Sequence, residues 1–488
     1  MDISYKPGVL KLNTCLLINY LGNILDIRDI LLEYAVYHDM FANGTKIEIL
    51  IEDSNGIIEM LPIVGDETVL LEFGSLEDGT ETSVSYFFKI YKIDNREKTK
   101  SRSESYILHG ISTEVISNNR KKVSKAYTNL LASEVITEIY NRYLRPTASE
   151  YGNGILPVSL NIKETKEKKA WCFPTQKPLE AINYLCKEAE IKNSNKKGSN
   201  FVFYETHKNG TEWHFNTLDN LLQQEPIYKN TFSFAQQNIS TQKSASTNSR
   251  ARAAAATGPE FFTSIEIFAD TKAYSFQKIE NLRMIKQFDT LSNIQSGMYN
   301  NQIDIIDPLI KTFKTDVFLY DDDFGKIGHT QNQKMYTSNS LYKKQEANTI
   351  KHYMVSNFGD EYSKIDYMSS AINKDNQIKF PRVAHNFIKY DISSRQQFNN
   401  IILEVTIPGN VEIDIGDMVK IIIPQSSSFE EYSNRKNLLF DDEKFLIIAL
   451  RHTYNKAQDK FFTVFECIKD TYTAGEVKEQ ASENLDEI

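Results

Sequence analysis

Cysteine is sparse in this chain, and the four present, Cys15, Cys172, Cys186 and Cys467, are scattered. None has the paired spacing of a zinc site or a redox motif, so a disulfide framework is not expected and a reducing site of synthesis is. Long apolar runs are missing as well. No window approaches the roughly 18 apolar residues of a membrane-crossing helix, and the first residues lack a basic-then-apolar signal pattern. Tryptophan occurs twice, against 26 Tyr and 28 Phe. Positive charge is in deficit, with 56 Lys and Arg against 65 Asp and Glu and a net charge of −9. The surface as a whole is therefore not built to grip nucleic acid.

Signatures of chemistry are missing too. The sequence has no Gly-x-Ser-x-Gly elbow, phosphate loop or dinucleotide fingerprint. Carboxylates are plentiful, but no pair is singled out for glycoside cleavage. Asp321-Asp322-Asp323-Phe324-Gly325 resembles the start of a calcium loop, yet Asn332 stands where an acidic twelfth residue is needed. As a kinase metal-binding tripeptide it lacks the accompanying loops, and it reads as a solvated acidic turn. His207 and His214 flank the Asn209-Gly210 turn and could meet across a hairpin, but two histidines without a third ligand make a poor zinc site. Surface or packing roles are expected for both. Arg250 and Arg252 are weak grounds for nucleic-acid contact. No catalytic, cofactor or metal residues are assigned.

What is present is strand pattern. The 488 residues suggest about three domains, and 41% hydrophobic with 25% charged residues is ordinary for a globular protein. The abundant Tyr and Phe suit strand faces and core, and subunit interfaces as well. From 400 to 470, runs rich in β-branched and aromatic residues alternate with turns: Ile401–Ile407, Val411–Ile415, Met418–Pro424, Lys444–Tyr454 and Lys460–Asp470. They predict antiparallel strands of a small barrel, with Gly409 and Gly416 at turns. Val405, Ile407, Val419, Ile421, Leu446 and Ile448 are its expected packed residues.

Residues 1–115 predict a second small barrel, with strands over Cys15–Tyr20, Lys46–Asp53, Thr68–Phe73, Ser83–Ile93 and Glu104–Gly110, and Gly65 at a turn. The run Ile27–Asp39 fits helix or strand, its tail Tyr34–Tyr37 favouring strand. Between the barrels, 116–380 reads as α+β. Ser124–Tyr143 has the spacing of an amphipathic helix stopped by Pro146. Pro178–Ala189 predicts another helix, and Phe201–Glu205 with Glu212–Phe215 a hairpin across Lys208-Asn209-Gly210. Thr312–Tyr320 is a further strand. The stretch 236–258 reads as a flexible insert, His329–Met368 as a polar, Tyr-rich addition, and 473–488 as a loose acidic tail. The expected fold is α+β, mainly β, with two small antiparallel barrels, over 1–115 and 381–472, flanking the α+β middle region.

In that order along the chain, the motifs Asp53-Ser54 and Leu61-Pro62-Ile63-Val64-Gly65-Asp66-Glu67, the stretch Trp171–Ala189, which looks like the family's middle domain, and Ile407-Pro408-Gly409-Asn410, Gly416-Asp417-Met418-Val419, Phe445–His452 and Cys467-Ile468-Lys469-Asp470 resemble the baseplate hub protein of contractile-tailed phages. The resemblance spans about two-thirds of the chain. It implies a non-enzymatic virion tail component, made in the host cytoplasm. It implies a homotrimer in which two tube-type barrels per chain form a pseudo-sixfold ring. Such a ring adapts a hexameric tail tube or tube initiator to a trimeric central spike, with baseplate wedge and tape-measure proteins as further partners. DNA passes through the channel without specific binding, in keeping with the acidic balance, and no stable membrane insertion is implied. The alternatives are the hub of a phage-derived contractile injection particle, a baseplate-borne cell-wall hydrolase, and a carbohydrate-binding module.

Overall fold

The computed structural model describes residues 8–60, 63–77, 80–100, 103–146, 158–166, 168–192, 196–197, 199–226, 231–233, 277–307, 312–330, 350–355, 385–422 and 444–471. The insert 236–258 with Arg250 and Arg252, Asn332, most of His329–Met368, the 380/381 boundary and the tail 473–488 lie outside the described residues. The fold is α+β and mainly β, as its strand patterning predicts.

The N-terminal unit contains β1 (Leu10–Ile18), β2 (Ile24–Asp26), β3 (Leu31–Asp39), β4 (Lys46–Asp53), α1 (Ile57–Met60), β5 (Thr68–Glu77), β6 (Thr80–Lys100) and β7 (Ser103–Ser112). All pair antiparallel, in the order β3-β4-β7-β6-β5-β1-β2. Alternation builds the core: β4 buries Ile47, Ile49 and Ile51 and turns Lys46 and Glu48 outward. The run from Ile27 is strand from Leu31, where Tyr34, Val36 and His38 all point inward. Strand period wins there because two sheet neighbours, one on each edge, supply the packing that a lone helix would lack.

The middle segment holds α2 (Thr113–Arg120), β8 (Val123–Leu131), α3 (Ala132–Ile139) with a π turn at Tyr140–Leu144, β9 (Ser159–Ile162), β10 (Lys168–Gln176), α4 (Pro178–Glu188), β11 (Phe201–Thr206), β12 (Glu212–Thr217) and α5 (Leu218–Leu222). The helix expected over Ser124–Tyr143 is therefore half wrong. Its first half is β8, paired with β10 through Tyr127↔Trp171 and Ala126↔Cys172. Buried Val123 and Tyr127 are four apart, a spacing that suits one helix face and also two alternations of a strand. The helix and hairpin expected over Pro178–Ala189 and Phe201–Phe215 are present.

The C-terminal unit follows: β13 (Thr231–Ser233), β14 (Asn281–Lys286), α6 (Thr290–Gln295), β15 (Asn300–Asp307), β16 (Thr312–Leu319), α7 (Tyr320–Asp323), β17 (Ile350–Val355), α8 (His385–Phe398), β18 (Ile401–Pro408), β19 (Met418–Ile422), β20 (Lys444–Asn455) and β21 (Lys460–Lys469). Its main ladder runs β14-β18-β21-β20, with β19 paired to β20 and β13 paired to β19. One expected strand is absent. Val411–Ile415 is a loop, and its alternation serves two cores: Val411 enters the N-terminal one, Ile413 and Ile415 the C-terminal one.

The two β-units are fused. β20 pairs with β21 along one edge and with β3 along the other, from Ala449↔Asp39 to Asn455↔Glu33, making one thirteen-stranded sheet. Phe461 donates its backbone N–H to Gly8 O at 2.9 Å. Tyr454 and Phe461 complete the aromatic core around Tyr34, Phe73 and Tyr86, where each ring pair adds about 1 kcal/mol beyond burial.

Candidate functional site

The residues expected to shape the barrels fall where strand patterning places them, with one shift. Val405, Ile407, Val419, Ile421 and Leu446 are fully buried in the C-terminal core. Ile448 is half-buried at its margin, because the β20–β21 register slips between Ile447 and Ala449 and rotates it off the Leu446 face. Gly65 has φ +97° in open space, and the Val64 and Gly65 N–H groups donate to the Glu67 carboxylate. Gly416 has φ +87°, and a Cβ there would lie 2.7 Å from Tyr204 Oη. Gly409 is needed for closeness: a Cβ would sit 1.7 Å from the Phe461 ring.

The loop between β18 and β19 that carries Gly409 and Gly416 forms part of a buried polar junction which the sequence did not reveal. From the N-terminal unit come His38 at the end of β3, Thr45 in the β3–β4 turn, Tyr86 on β6 and Ser112 at the end of β7. The β11–β12 hairpin contributes Glu205, His207 and Thr211, and the C-terminal unit Asp414, His452 and Thr463. Glu205 Oε2 accepts from Ser112 Oγ at 2.6 Å and from the Thr45 N–H at 2.9 Å. His207 Nε2 lies 3.0 Å from Thr45 Oγ1 and 3.4 Å from Glu205 Oε1, and Nδ1 lies 3.3 Å from Thr211 Oγ1. Asp414 Oδ2 accepts from the His207 N–H at 2.7 Å. Its Oδ1 lies 3.1 Å from His38 Nδ1, at ion-pair distance but off the line of a hydrogen bond. His38 Nε2 is 3.2 Å from Tyr86 Oη, and its ring meets those of His207 and His452 edge-on.

Electrostatics follow from this closeness. Burial alone would raise the Asp414 carboxyl, but His38 and the hydrogen bond from the His207 N–H overrule it and hold it well below the usual range. Glu205 is likewise lowered against the pull of burial, by His207, Ser112 and Thr45. Glu114, on α2, goes the other way: burial and then the charge of Glu205 push it up to about 8, so it keeps its proton at neutral pH. His452 is pushed down to about 3 by burial and by the neighbouring His38, and stays neutral. Its Nδ1 lies 3.1 Å from Thr463 Oγ1.

A smaller buried centre forms beside the acidic tripeptide. Asp321 and Asp322 are exposed, but Asp323 is buried, accepting from the Leu319 N–H at 3.2 Å and from the Lys326 ammonium. The reading of a solvated turn fails at that residue, since the short α7 turns it inward. Phe324 stacks on the His329 ring at 3.7 Å. His329 Nδ1 lies 2.6 Å from Asp470 Oδ2 and Nε2 lies 2.9 Å from Phe324 O. Both partners of the ring are hydrogen-bond acceptors. His207 and His214 do not meet: Tyr204 stands opposite His214, while His207 turns into the junction. Among the described residues no group of three or more His, Cys, Asp or Glu is placed to hold a metal ion.

Both centres are closed in on themselves, and what they offer is cohesion between segments far apart in sequence. Strand and helix period cannot signal them. Asp414, in an alternating Val411–Ile415 run, reads as outward-facing, and only the loop conformation turns it in.

No protein-family model matches the chain, and no curated protein sequence does. Among solved structures it is similar to the tail protein from Neisseria meningitidis MC58, with 9% identity, a TM-score of 0.47, and coverage of 94% of this chain and 98% of that one. It is similar to the 43 kDa tail protein of prophage MuSo2 from Shewanella oneidensis at 8% identity and a TM-score of 0.47, covering 95% of this chain and 98% of that one. The prophage tail protein gp18 from Listeria monocytogenes EGD-e stands at 10% identity and a TM-score of 0.42, covering 97% of this chain and all of the other.

Proposed function

We propose that the chain is a structural, non-enzymatic component of a phage-type tail, the hub of its baseplate. In this reading three copies form a ring around the channel taken by DNA and tape-measure protein. Each copy contributes two β-units, so three copies present six similar positions to a hexameric tube and three to a spike. The observation that carries the reading is the fusion of the two units through β20 and β3. A strand shared by both units fixes their angle, which an adaptor of one symmetry to another requires and a linker would not provide. The junction around Asp414 and Glu205 adds a third body to the same rigid frame.

Charge is divided along the chain in a way that suits this role. Residues 116–210 hold 16 Lys and Arg against 9 Asp and Glu, while 1–115 hold 10 against 19. The acidic excess lies in the N-terminal β-unit, where it suits a channel wall that does not retain phosphate. Light scattering with low-resolution imaging tests the proposal. A three-chain particle with a central channel is expected. A single chain at high concentration, with no ring when tube or spike partners are added, would overturn it, and peptidoglycan release would then be the next assay.

A further inference from the structure

Two turns stand side by side at one end of the N-terminal unit. Ile18, the last residue of β1, pairs with Thr68, the first of β5. The turn 19–23 that leaves β1 for β2 therefore lies beside the turn 63–67 that leads into β5. Gly22 at φ +84° and Gly65 at φ +97° have no atom within 4 Å of where a Cβ would sit, so both turns project from the body. Four large apolar side chains ride on them, with Tyr20 52%, Leu21 67%, Ile24 64% and Val64 67% exposed. Single exposed apolar residues are ordinary, whereas a group of them marks a contact. The backbone of both turns is bonded internally. Buried Asn19 takes the Leu21 N–H at 3.0 Å and the Asn23 N–H at 2.8 Å on its side-chain oxygen. Its carbonyl accepts from the Gly22 N–H, and its own N–H donates to Asn23 O, both at 3.0 Å. Buried Glu67 takes the Val64 N–H at 2.7 Å and the Gly65 N–H at 2.9 Å. A turn in water can leave such donors to the solvent, but one moved into an apolar medium must bring its own partners.

Charge is settled there as well. Residues 19–24 and 63–65 carry none, Asp26 holds Arg28 at 2.6 Å, and Asp66 lies 3.6 Å from the Lys89 ammonium. We propose that this pair of turns is a contact site for a lipid bilayer, entering the boundary between headgroups and acyl chains and leaving it again reversibly. Three features select lipid over a protein partner. Donors that are already bonded suit a medium that offers no acceptors. Four side chains are few against the roughly 20 residues a side of a stable protein interface. The ionic groups beside the turns are paired within the chain, which leaves apolar contact as the means of recognition. Tyr20 is the least exposed of the four, as suits an aromatic ring held at headgroup level while Leu21, Ile24 and Val64 reach deeper. The inference stands on the N-terminal unit alone and is independent of the ring reading.

Flotation of the full chain with vesicles of neutral phosphatidylcholine is the test. Wild-type protein should rise with the vesicles. Leu21→Ser combined with Ile24→Ser should cut its partition at least about tenfold, and Val64→Ser, in the other turn, should cut it by a smaller factor. All three positions are exposed, so both variants should keep the wild-type circular dichroism and urea midpoint. Adding phosphatidylglycerol should not strengthen binding, because a chain of net charge −9 is not drawn to anionic lipid. No flotation, or flotation that both variants leave unchanged, overturns the site. Binding that needs phosphatidylglycerol and disappears in salt overturns it too, since charge would then be the cause. A wild-type chain that ignores vesicles, but binds a tube or spike protein that both variants fail to bind, would make the turns a protein contact and overturn the lipid assignment. Flotation through these turns by a protein that stays a single chain would keep the site and remove the hub.

Discussion

Gly409 and Gly65 look alike in the sequence, each in a turn beside Asn or Asp, yet the structure needs them for different reasons. At Gly65 only the backbone objects to a side chain, since φ is +97° and no atom lies near. Gly65→Ala should cost about 1–2 kcal/mol. At Gly409 the Phe461 ring fills the space, and Phe461 belongs to the N-terminal core. Gly409→Ala should cost about 3 kcal/mol through displaced packing, and denaturant midpoints of the two variants should separate accordingly. Turn chemistry made both glycines legible. Which of them faces a ring from another segment was not, because that depends on a contact made more than fifty residues away.

At the scale of elements, the two buried polar centres and the nearby Glu114 make stability depend on pH from both sides. Asp414, Glu205 and Asp470 have folded-state affinities for protons below the unfolded ones. Their contribution is present above the ordinary carboxylate range and is lost as pH falls through it. His452, held to about 3, adds to the same acid loss from about pH 6.5 downward, since only the unfolded chain takes up its proton. Glu114 has the opposite sign. Raised to about 8, it favours the fold below the usual carboxyl range and loses that contribution as pH climbs toward 8. Urea midpoints at pH 5.5 and 8 should therefore draw together in Glu114→Gln relative to wild type. Asp414→Asn should cost about 3 kcal/mol by leaving His38 without its carboxylate, and should flatten the acid decline. Most strands were legible from alternation and turns, while β8 was not, because Val123 and Tyr127 fit both periods. The junction was hidden for another reason: its members are single polar residues at strand ends, brought together only by tertiary contacts.

At the scale of the molecule, the units are bound by contacts that cross them, and they should unfold as one. Both tryptophans, Trp171 and Trp213, lie in the middle segment, whereas most of the sheet lies outside it. Tryptophan fluorescence and far-ultraviolet circular dichroism should give coincident urea transitions. Two separated transitions would show that the middle segment melts alone. For the same reason a fragment of residues 1–115 should lack native-like proton exchange protection, because Val411, Tyr454 and Phe461 complete its core.

The shared strand β20 has a mechanical consequence as well. A load drawn along β20 is met by its bonds to β3 and β21 together, in shear, so many must yield at once. A load across the strands would peel the same bonds one after another. Resistance to pulling is set by the rate of unfolding under force rather than by equilibrium stability, and it would be greatest along that one axis.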